Sequence, residues 1–224
     1  MNLPAILSDD DDEIEKAAEF VAKYYSRYED GSPRWTGSCF NSWGGGGDSP
    51  DAKNRLTADD LVAVSFLTAP VPARAVIGIM DTHARKISEL LEAIPADLHL
   101  ADAKPGDPSG VLDDDGYAHD LWRLLVGKRN EKWGIGPTRA SKIMARKRPK
   151  LIPVYDSVVG PALGLKNSDD QWKKWHLALN HASGLPQRLR EIHRRSEISD
   201  PISEIRVMDI VLWMQGSQRP SSRA

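Results

Sequence analysis

The chain has 224 residues, of which 40% are hydrophobic and 28% are charged, which is enough for one globular core and small for two independent domains. No apolar run approaches the roughly 18 to 20 residues that a bilayer span requires, and the N-terminal residues are acidic where a secretory signal would be basic, so we expect a cytoplasmic protein with no membrane partner. The single cysteine, Cys39, excludes an intramolecular disulfide framework, a four-cysteine zinc site and a cysteine-ligated iron–sulfur cluster.

Charges are unevenly placed along the chain. The formal net charge of −2 argues against a uniformly basic surface. Residues 1–15 contain six acidic and no basic residues, whereas residues 137–150 contain six basic and no acidic residues. The six basic residues are Arg139, Lys142, Arg146, Lys147, Arg148 and Lys150. Such a run indicates either a surface that faces nucleic acid or only a solvated helix face.

Apolar residues at helical spacing predict three helices in the first half of the chain. These cover residues 14–28, 57–67 and 76–94. Thr57 followed by Asp60 is a capping-box pattern at the start of the second helix. His83 lies on the apolar face of the third, where a histidine more often has a packing partner than a ligand. Residues 31–55 are rich in glycine, with aromatic residues among them, and are predicted to form a loop that packs against the core.

The second half of the chain also predicts helices. Residues 99–116 are rich in Asp, Gly and Pro and predict a surface loop, after which helical spacing resumes over residues 117–132. Further helices are predicted around Trp175, around Leu189 and around Met208. The one β-like run, residues 151–155, is interrupted by a proline. The predicted fold class is therefore all-α, with a flexible tail over residues 217–224.

A short glycine-containing segment, residues 133–138, lies between two predicted helices. Gly134 and Gly136 bracket Ile135 and permit a tight turn with positive φ, and Pro137 suits the first position of the following helix. Such a turn leaves backbone N–H groups without partners at a helix N-terminus, and these groups, with the helix dipole, attract a phosphate oxygen. The segment therefore predicts a helix hairpin that can face nucleic acid.

This passage resembles the helix–hairpin–helix (HhH-GPD) superfamily of DNA glycosylases, whose pattern is Gly-x-Gly-x-x-x-Ala followed by a catalytic Asp. Gly134, Gly136, Ala140 and Asp156 match that pattern in order. Residues 153–156, Pro-Val-Tyr-Asp, are similar to the Pro-x-x-Asp approach of the adenine-specific branch. Residues 145–156 also resemble a family of uncharacterised bacterial proteins, which implies no activity.

The resemblance implies a two-lobed helical bundle and a DNA partner held by sequence-tolerant backbone contacts. Over residues 1–216, one lobe would cover about 56–150 and contain the hairpin, and the other would combine about 12–55 with 151–216. A flipped base would enter a cleft between the lobes, where Asp156 assists cleavage of the N-glycosidic bond. The implied DNA-binding residues are Gly134, Gly136, Thr138, Arg139, Lys142, Arg146, Lys147 and Arg148.

Two departures from the superfamily pattern narrow the implied chemistry. Bifunctional members have a lysine two residues after the second hairpin glycine, where this chain has Thr138, so strand-nicking lyase activity is not expected. Iron–sulfur members need four cysteines, so that cofactor is not expected, and the histidines show no recognised metal spacing. The tryptophans and Tyr155 could stack on a base or could only anchor the core.

Three functions remain open from the sequence. The first is a monofunctional DNA N-glycosylase that uses Asp156. The second is a non-catalytic helix–hairpin–helix DNA-binding module, in which Asp156 serves only as the N-cap of the next helix. The third is a protein-interaction protein whose basic cluster meets an acidic partner, including its own acidic N-terminus.

Overall fold

Helices form the regular secondary structure of the described part of the chain. The computed structural model describes residues 3–127, 133–181 and 184–218. Within these ranges the β-type pairing is limited to an isolated bridge between Arg27 and Pro33, so the predicted all-α class is confirmed. The helices are α1 (Asp11–Tyr25), α2 (Ala58–Phe66), α3 (Ala73–Ile77), α4 (Ala84–Ala93), α5 (Tyr117–Val126), α6 (Pro137–Lys147), α7 (Val159–Ala162), α8 (Gln171–His181), α9 (Leu185–Arg195) and α10 (Glu204–Ser217).

None of the helices in the described ranges has the length and hydropathy needed to cross a bilayer.

The chain divides into two compact units. The continuous unit is Thr36–Val154, and the terminal unit joins Met1–Trp35 to Tyr155–Ala224. Residues 36–55 and 151–154 were predicted to belong to the lobe formed by the chain ends, whereas both stretches lie in the continuous unit. Residues 36–55 belong to the continuous unit because a side chain of α6 donates hydrogen bonds to backbone carbonyls of this loop.

In the terminal unit, α10 forms the centre of the core. Residues 205–212 are all buried, which is the behaviour expected of a helix that contacts neighbours on every side. Helices α1, α7 and α9 pack on α10, and α8 packs on α9. Asp10 caps α1 by accepting hydrogen bonds from the N–H groups of Asp12 and Glu13. Part of the acidic N-terminal run therefore complements the dipole of α1.

In the continuous unit, α6 occupies the central position. Residues 140–148 are all buried, helices α2 and α5 pack on α6, and α4 packs on α5. Helix α2 begins with the predicted capping box, because Thr57 and Asp60 each accept a hydrogen bond from the other's backbone N–H. The core of this unit is thus built around the segment that the sequence predicted to face nucleic acid.

The long helix predicted over residues 76–94 is interrupted. Helix α3 ends at Ile77, a single π-helical turn covers Gly78–Thr82, and α4 begins at Ala84. The break follows from a wider hydrogen bond, in which the His83 N–H donates to the Gly78 carbonyl five residues earlier at 2.8 Å. A π-turn adds one residue to a helix while the apolar residues stay on one face. The spacing of apolar residues therefore still predicts one continuous helix.

Two predicted boundaries reach beyond the described residues. Helix α10 extends through Ser217, one residue into the predicted tail, and residues 219–224 of that tail lie outside the described ranges. Helix α5 ends at Val126, and residues 128–132 of the predicted helix over 117–132 also lie outside them. The predicted helices around Trp175, Leu189 and Met208 are confirmed as α8, α9 and α10.

Candidate functional site

The glycine-containing turn leads directly into α6. Gly134 has φ +88°, in the left-handed region that favours glycine, and Gly136 is the N-cap with φ −98° and ψ −179°. Pro137 occupies the first helical position, and no side chain caps the helix. The first N–H groups of a helix have no intrahelical partner, so Thr138 and Arg139 present amide donors at this end. Gly134 and Pro137 therefore take the backbone positions that the sequence predicted, whereas Gly136 is extended and residues 128–132, which precede the turn, lie outside the described residues.

The described residues leave space beside Gly136, the N-cap of α6. A Cβ placed on Gly136 would meet no atom within 4 Å, and the Thr138 side chain is exposed. The partial positive charge at the start of the helix favours an anion at this position. An oxygen of a phosphate or carboxylate can thus approach the turn.

Arg139 holds the turn against the rest of the continuous unit. Its Nε donates to the Pro70 carbonyl at 2.8 Å, and its NH1 donates to the Gly134 carbonyl at 3.0 Å. The guanidinium therefore fixes the turn through protein carbonyls. These hydrogen bonds do not support the predicted direct contact of Arg139 with DNA.

Four of the predicted DNA-binding side chains lie in the protein interior. Lys142 and Arg146 are 2% exposed, and Lys147 and Arg148 are 1% exposed. Phosphate contacts require cations at the surface, so the structure corrects the prediction for these four residues. An acidic partner could not contact these four side chains either, because they are buried.

Arg146 and Lys147 share one buried carboxylate. Arg146 Nε lies 3.0 Å from Asp60 Oδ1, and Lys147 Nζ lies 2.9 Å from Asp60 Oδ2. The Arg146 guanidinium also donates to the backbone carbonyls of Phe40, Asn41 and Trp43 in the loop after residue 35. Burial lowers the pKa of Lys147, while the charge of Asp60 acts in the opposite direction.

Lys142 and Arg148 satisfy carbonyls at the ends of neighbouring helices. Lys142 Nζ donates to the Leu67 carbonyl after α2 at 2.8 Å. Arg148 donates to the carbonyls of Leu91 and Ile94, where α4 ends. Burial lowers the pKa of Arg148 to about 10. The last carbonyls of a helix have no intrahelical donors, and these long side chains supply them.

Asp156 lies in the turn before α7 in the terminal unit. Its Oδ1 accepts a hydrogen bond from the Val158 N–H at 2.9 Å, and its carbonyl accepts one from the Gly160 N–H at 2.9 Å. The side chain is half-buried. The N-cap of α7 is Val158, which makes no side-chain cap hydrogen bond, so Asp156 stabilises the turn and is not the N-cap that the sequence predicted. This turn is compatible with a catalytic carboxylate, so the catalytic role of Asp156 stays a prediction.

A buried polar cluster lies within electrostatic reach of Asp156. Arg206 on α10 donates to the Tyr24 hydroxyl at 3.1 Å and forms an ion pair with Asp209. Burial raises the pKa of Tyr24; Arg206 opposes this rise, while Asp209 and Asp156 add to it. No sequence pattern predicted this cluster, since an Arg and an Asp three residues apart on a helix are ordinary surface neighbours.

The predicted stacking aromatics have different environments. Trp133, Trp172 and Trp175 are buried, Trp43 is exposed, and Trp122 and Tyr155 are half-buried. Trp122 and Trp133 line a cavity of about 920 Å³ in the continuous unit, together with His83. Sequence patterns did not predict this cavity, which Gly78 and Thr82 of the π-turn help to line. Among the described residues, no group of three or more His, Cys, Asp and Glu side chains is arranged to hold a metal ion.

One family model matches the chain over residues 17–216, and that family is described as a family of unknown function, DUF6308. The chain belongs to the DUF6308 family. The match runs from within α1 to within α10, so the family region includes the turn at Gly134, the buried cations of α6 and Asp156. Neither the curated proteins nor the solved structures give a significant match to this DUF6308 chain.

Proposed function

We propose that this DUF6308 protein binds DNA at the turn before α6 and acts on a flipped nucleotide as an N-glycosylase without lyase activity. The observation that carries the proposal is the open N-terminus of α6, at which Gly134 is left-handed and Gly136 is the uncapped N-cap. These glycines lie at the matched spacing before Asp156 in a helical chain. Backbone amides that bind phosphate do not read bases, so binding would be sequence-tolerant.

The chain order of the two units is compatible with the proposal. The continuous unit contains the turn and ends at Val154, and Asp156 is the second residue after the chain enters the terminal unit. The resemblance implies the same order, with the hairpin in one lobe and the carboxylate at the start of the next segment. The chain order of the units therefore supports the resemblance and the catalytic role that the resemblance implies for Asp156.

The chemistry proposed for Asp156 is electrostatic and acid–base. Cleavage of an N-glycosidic bond builds positive charge on the sugar, which a fixed carboxylate stabilises. The same carboxylate can orient or deprotonate the water that attacks the sugar carbon. The Val158 N–H holds one carboxylate oxygen at 2.9 Å and so restricts its orientation. Thr138 provides no amine for a Schiff base, so we expect base release without strand cleavage.

Two substitutions at Gly136 test the DNA contact. Gly136→Asp and Gly136→Asn place a capping side chain in open space at an N-cap with extended ψ. Each should leave the free energy of unfolding unchanged or raise it by a few tenths of a kcal/mol, because Asp and Asn cap slightly better than Gly. Each should weaken the binding of a labelled duplex in a fluorescence anisotropy titration. The aspartate should weaken binding more than the asparagine, since it also repels phosphate. Equal affinities for wild type and both variants would remove the turn from the interface.

A second substitution tests the catalytic role. Asp156→Asn keeps a side-chain oxygen for the Val158 N–H, so the fold should be retained, whereas the negative charge is lost. Wild-type protein is incubated with duplexes that carry uracil, alkylated, oxidised or mismatched bases, and alkali then reveals the abasic sites. We expect strand breaks that Asp156→Asn abolishes and that Asp170→Asn, at an exposed position of the same unit, preserves. Unchanged base release by Asp156→Asn would show that the carboxylate is not catalytic.

The second candidate function is a non-catalytic DNA-binding module. The hydrogen bond from the Val158 N–H to Asp156 favours it, because this contact gives the carboxylate a structural role in the turn before α7. Under this candidate, the wild-type protein releases no base from any duplex but still loses affinity with Gly136→Asp. The two experiments together therefore separate binding from catalysis.

A further inference from the structure

The proposed DNA contact at the turn before α6 has no available cation among the residues that the sequence predicted. Lys142, Arg146, Lys147 and Arg148 are buried, and the Arg139 guanidinium donates to protein carbonyls. Binding to a nucleic-acid backbone depends on cations that replace its counterions, so backbone amides by themselves would hold a duplex weakly. A cation that serves this turn therefore has to come from another element of the continuous unit.

Helix α3 lies beside the turn, and the residues at both of its ends contact it. The N-cap of α3 is Pro72, and a Cβ on Gly134 would lie 3.0 Å from an atom of the Pro72 ring. Gly78 follows α3 directly, and a Cβ on Gly78 would lie 1.8 Å from a ring atom of Trp133. The five-residue helix between these two contacts therefore flanks the residues that lead into α6.

Arg74 is the basic residue of α3, and its side chain is exposed. It follows Pro72, which contacts Gly134, by two residues. Among the described residues Arg74 has no ion pair or hydrogen bond, whereas the nearby cations of α4, Arg85 and Lys86, both pair with one glutamate. Arg74 is therefore a surface cation next to the turn with its charge uncompensated by the part of the chain that the structure describes.

The two segments that meet at the turn carry no acidic residue. Residues 67–80 and 133–150 contain neither Asp nor Glu, and the acid that follows α3 is Asp81 on the π-turn. The partial positive charge at the start of α6 and the guanidinium of Arg74 therefore lie next to each other without a carboxylate from either segment. Positive charge of this kind favours an extended anion that contacts both the turn and α3.

We propose that Arg74 binds the DNA backbone beside the phosphate at Gly136, so that the DNA interface extends from the turn to α3. The inference rests on the proposed function and adds to it a side chain outside the turn. A guanidinium donates to phosphate oxygens without reading a base, so this contact is sequence-tolerant. The spacing from the turn to Asp156, on which the proposed function depends, favours nucleic acid over an acidic protein as the partner.

The test titrates the full chain into a labelled DNA duplex at several salt concentrations and follows fluorescence anisotropy. Arg74→Ala should weaken binding about tenfold at low salt, the loss expected when a charge-assisted contact is removed. The slope of log affinity against log salt concentration should become shallower by about 0.9, the change expected when one phosphate contact is lost. Arg74→Lys should keep the wild-type slope, because lysine retains the charge.

Arg55→Ala is the matched control. Arg55 is exposed in the same unit and likewise has no ion pair among the described residues. It lies shortly before α2, whose Asp60 pairs with Arg146 and Lys147 at the end of α6 opposite to the turn. Arg55→Ala should leave both the affinity and the salt slope close to wild type, and the thermal midpoints report that the variants are folded.

The other outcomes separate this inference from the proposed function. Duplex binding that Gly136→Asp weakens, but that keeps its affinity and salt slope with Arg74→Ala, would overturn the role of Arg74 alone. Equal losses with Arg74→Ala and Arg55→Ala would also overturn it, because the effect would then be one of net charge. Polyglutamate that competes as well as unlabelled duplex would make the partner an acidic protein. Absence of duplex binding by the wild-type protein would overturn the proposed function and this inference together.

Discussion

At the scale of single residues, Asp60 connects three parts of the continuous unit. Its carboxylate accepts from the Thr57 N–H at 2.9 Å, from Lys147 at 2.9 Å and from Arg146 at 3.0 Å. It is 1% exposed. Because Arg146 in turn holds the carbonyls of residues 40, 41 and 43, the start of α2, the end of α6 and the preceding loop depend on one carboxylate.

Asp60→Ala should be strongly destabilising. It leaves Arg146 and Lys147 buried without their counter-charge, and breaking a buried pair in this way costs about 3–5 kcal/mol. Urea unfolding followed by circular dichroism should show a large fall in the midpoint. Asp51→Ala, at an exposed position in the same unit, should change the free energy of unfolding by less than about 0.5 kcal/mol. A loss below about 1 kcal/mol for Asp60→Ala would contradict the buried network.

The same burial restricts how DNA binding can be tested. Charge reversal at Lys142 or Arg146 would place a carboxylate in the interior, so weaker DNA binding by such a variant would report misfolding. Substitutions at Gly136 avoid this difficulty because the described residues leave space at that position.

At the scale of helices, acidic residues of α1 and basic residues of α9 form a network in the terminal unit. Arg195 on α9 lies 2.7 Å from Asp11 and 3.5 Å from Glu15 on α1, and 2.8 Å from Glu191 on its own helix. Glu191 also accepts from Arg194 at 2.6 Å. The acidic N-terminal run therefore meets cations of α9, not the basic cluster of α6.

Glu191 should contribute an acid-sensitive part of the stability. Hydrogen bonds from Arg194 and Arg195 lower the pKa of Glu191 from 4.5 to about 2. Since the folded-state pKa lies below the unfolded value, the stabilisation is present above pH 4.5 and is lost as the pH falls toward 2. The difference in free energy of unfolding between wild type and Glu191→Gln should therefore shrink over that window. Urea midpoints at successive pH values measure it.

A neutral substitution elsewhere provides the control for this experiment. Glu92→Gln, at an exposed position on α4, should follow the wild-type pH profile. High salt should reduce the effect of Glu191→Gln, because the pairs are partly exposed and are screened. A wild-type-minus-variant difference that stays constant from pH 6 to pH 2 would show that the arginines do not perturb Glu191.

At the scale of the whole molecule, the chain leaves the terminal unit after Trp35 and returns to it at Tyr155. The continuous unit contains the complete Asp60 network and its own apolar core, including Leu121, Ile143 and Leu151. The terminal unit needs both chain ends, because α1 packs on α9 and α10. Units with separate cores can have separate stabilities.

A fragment of residues 36–154 should fold on its own. The buried cations Arg146 and Lys147 keep their partner Asp60 within the fragment when the terminal unit is removed. We expect a helical circular dichroism spectrum and a cooperative urea transition. A fragment of residues 155–224 lacks α1 and should show neither. A non-cooperative transition for residues 36–154 would show that this unit depends on the chain ends.

The local elements of the protein follow from patterns of neighbouring residues. The periodicity of apolar residues gave the helical class, because a helix buries one face at a fixed spacing. Thr57 and Asp60 predicted the start of α2, and Gly134 to Pro137 predicted the turn before α6, because caps and tight turns depend on neighbouring residues. The residues around Asp156 likewise predicted either a cap or a catalytic carboxylate at this position.

The tertiary structure alone decided which charges are inside. The basic run of α6 has the composition of a nucleic-acid surface, yet four of its cations bind carbonyls and a carboxylate from segments about 50 to 100 residues away in sequence. The π-turn at Gly78 and the cavity beside Trp133 depend likewise on contacts between distant residues. A linear pattern records the type and spacing of residues, whereas burial is set by which other segments pack against them.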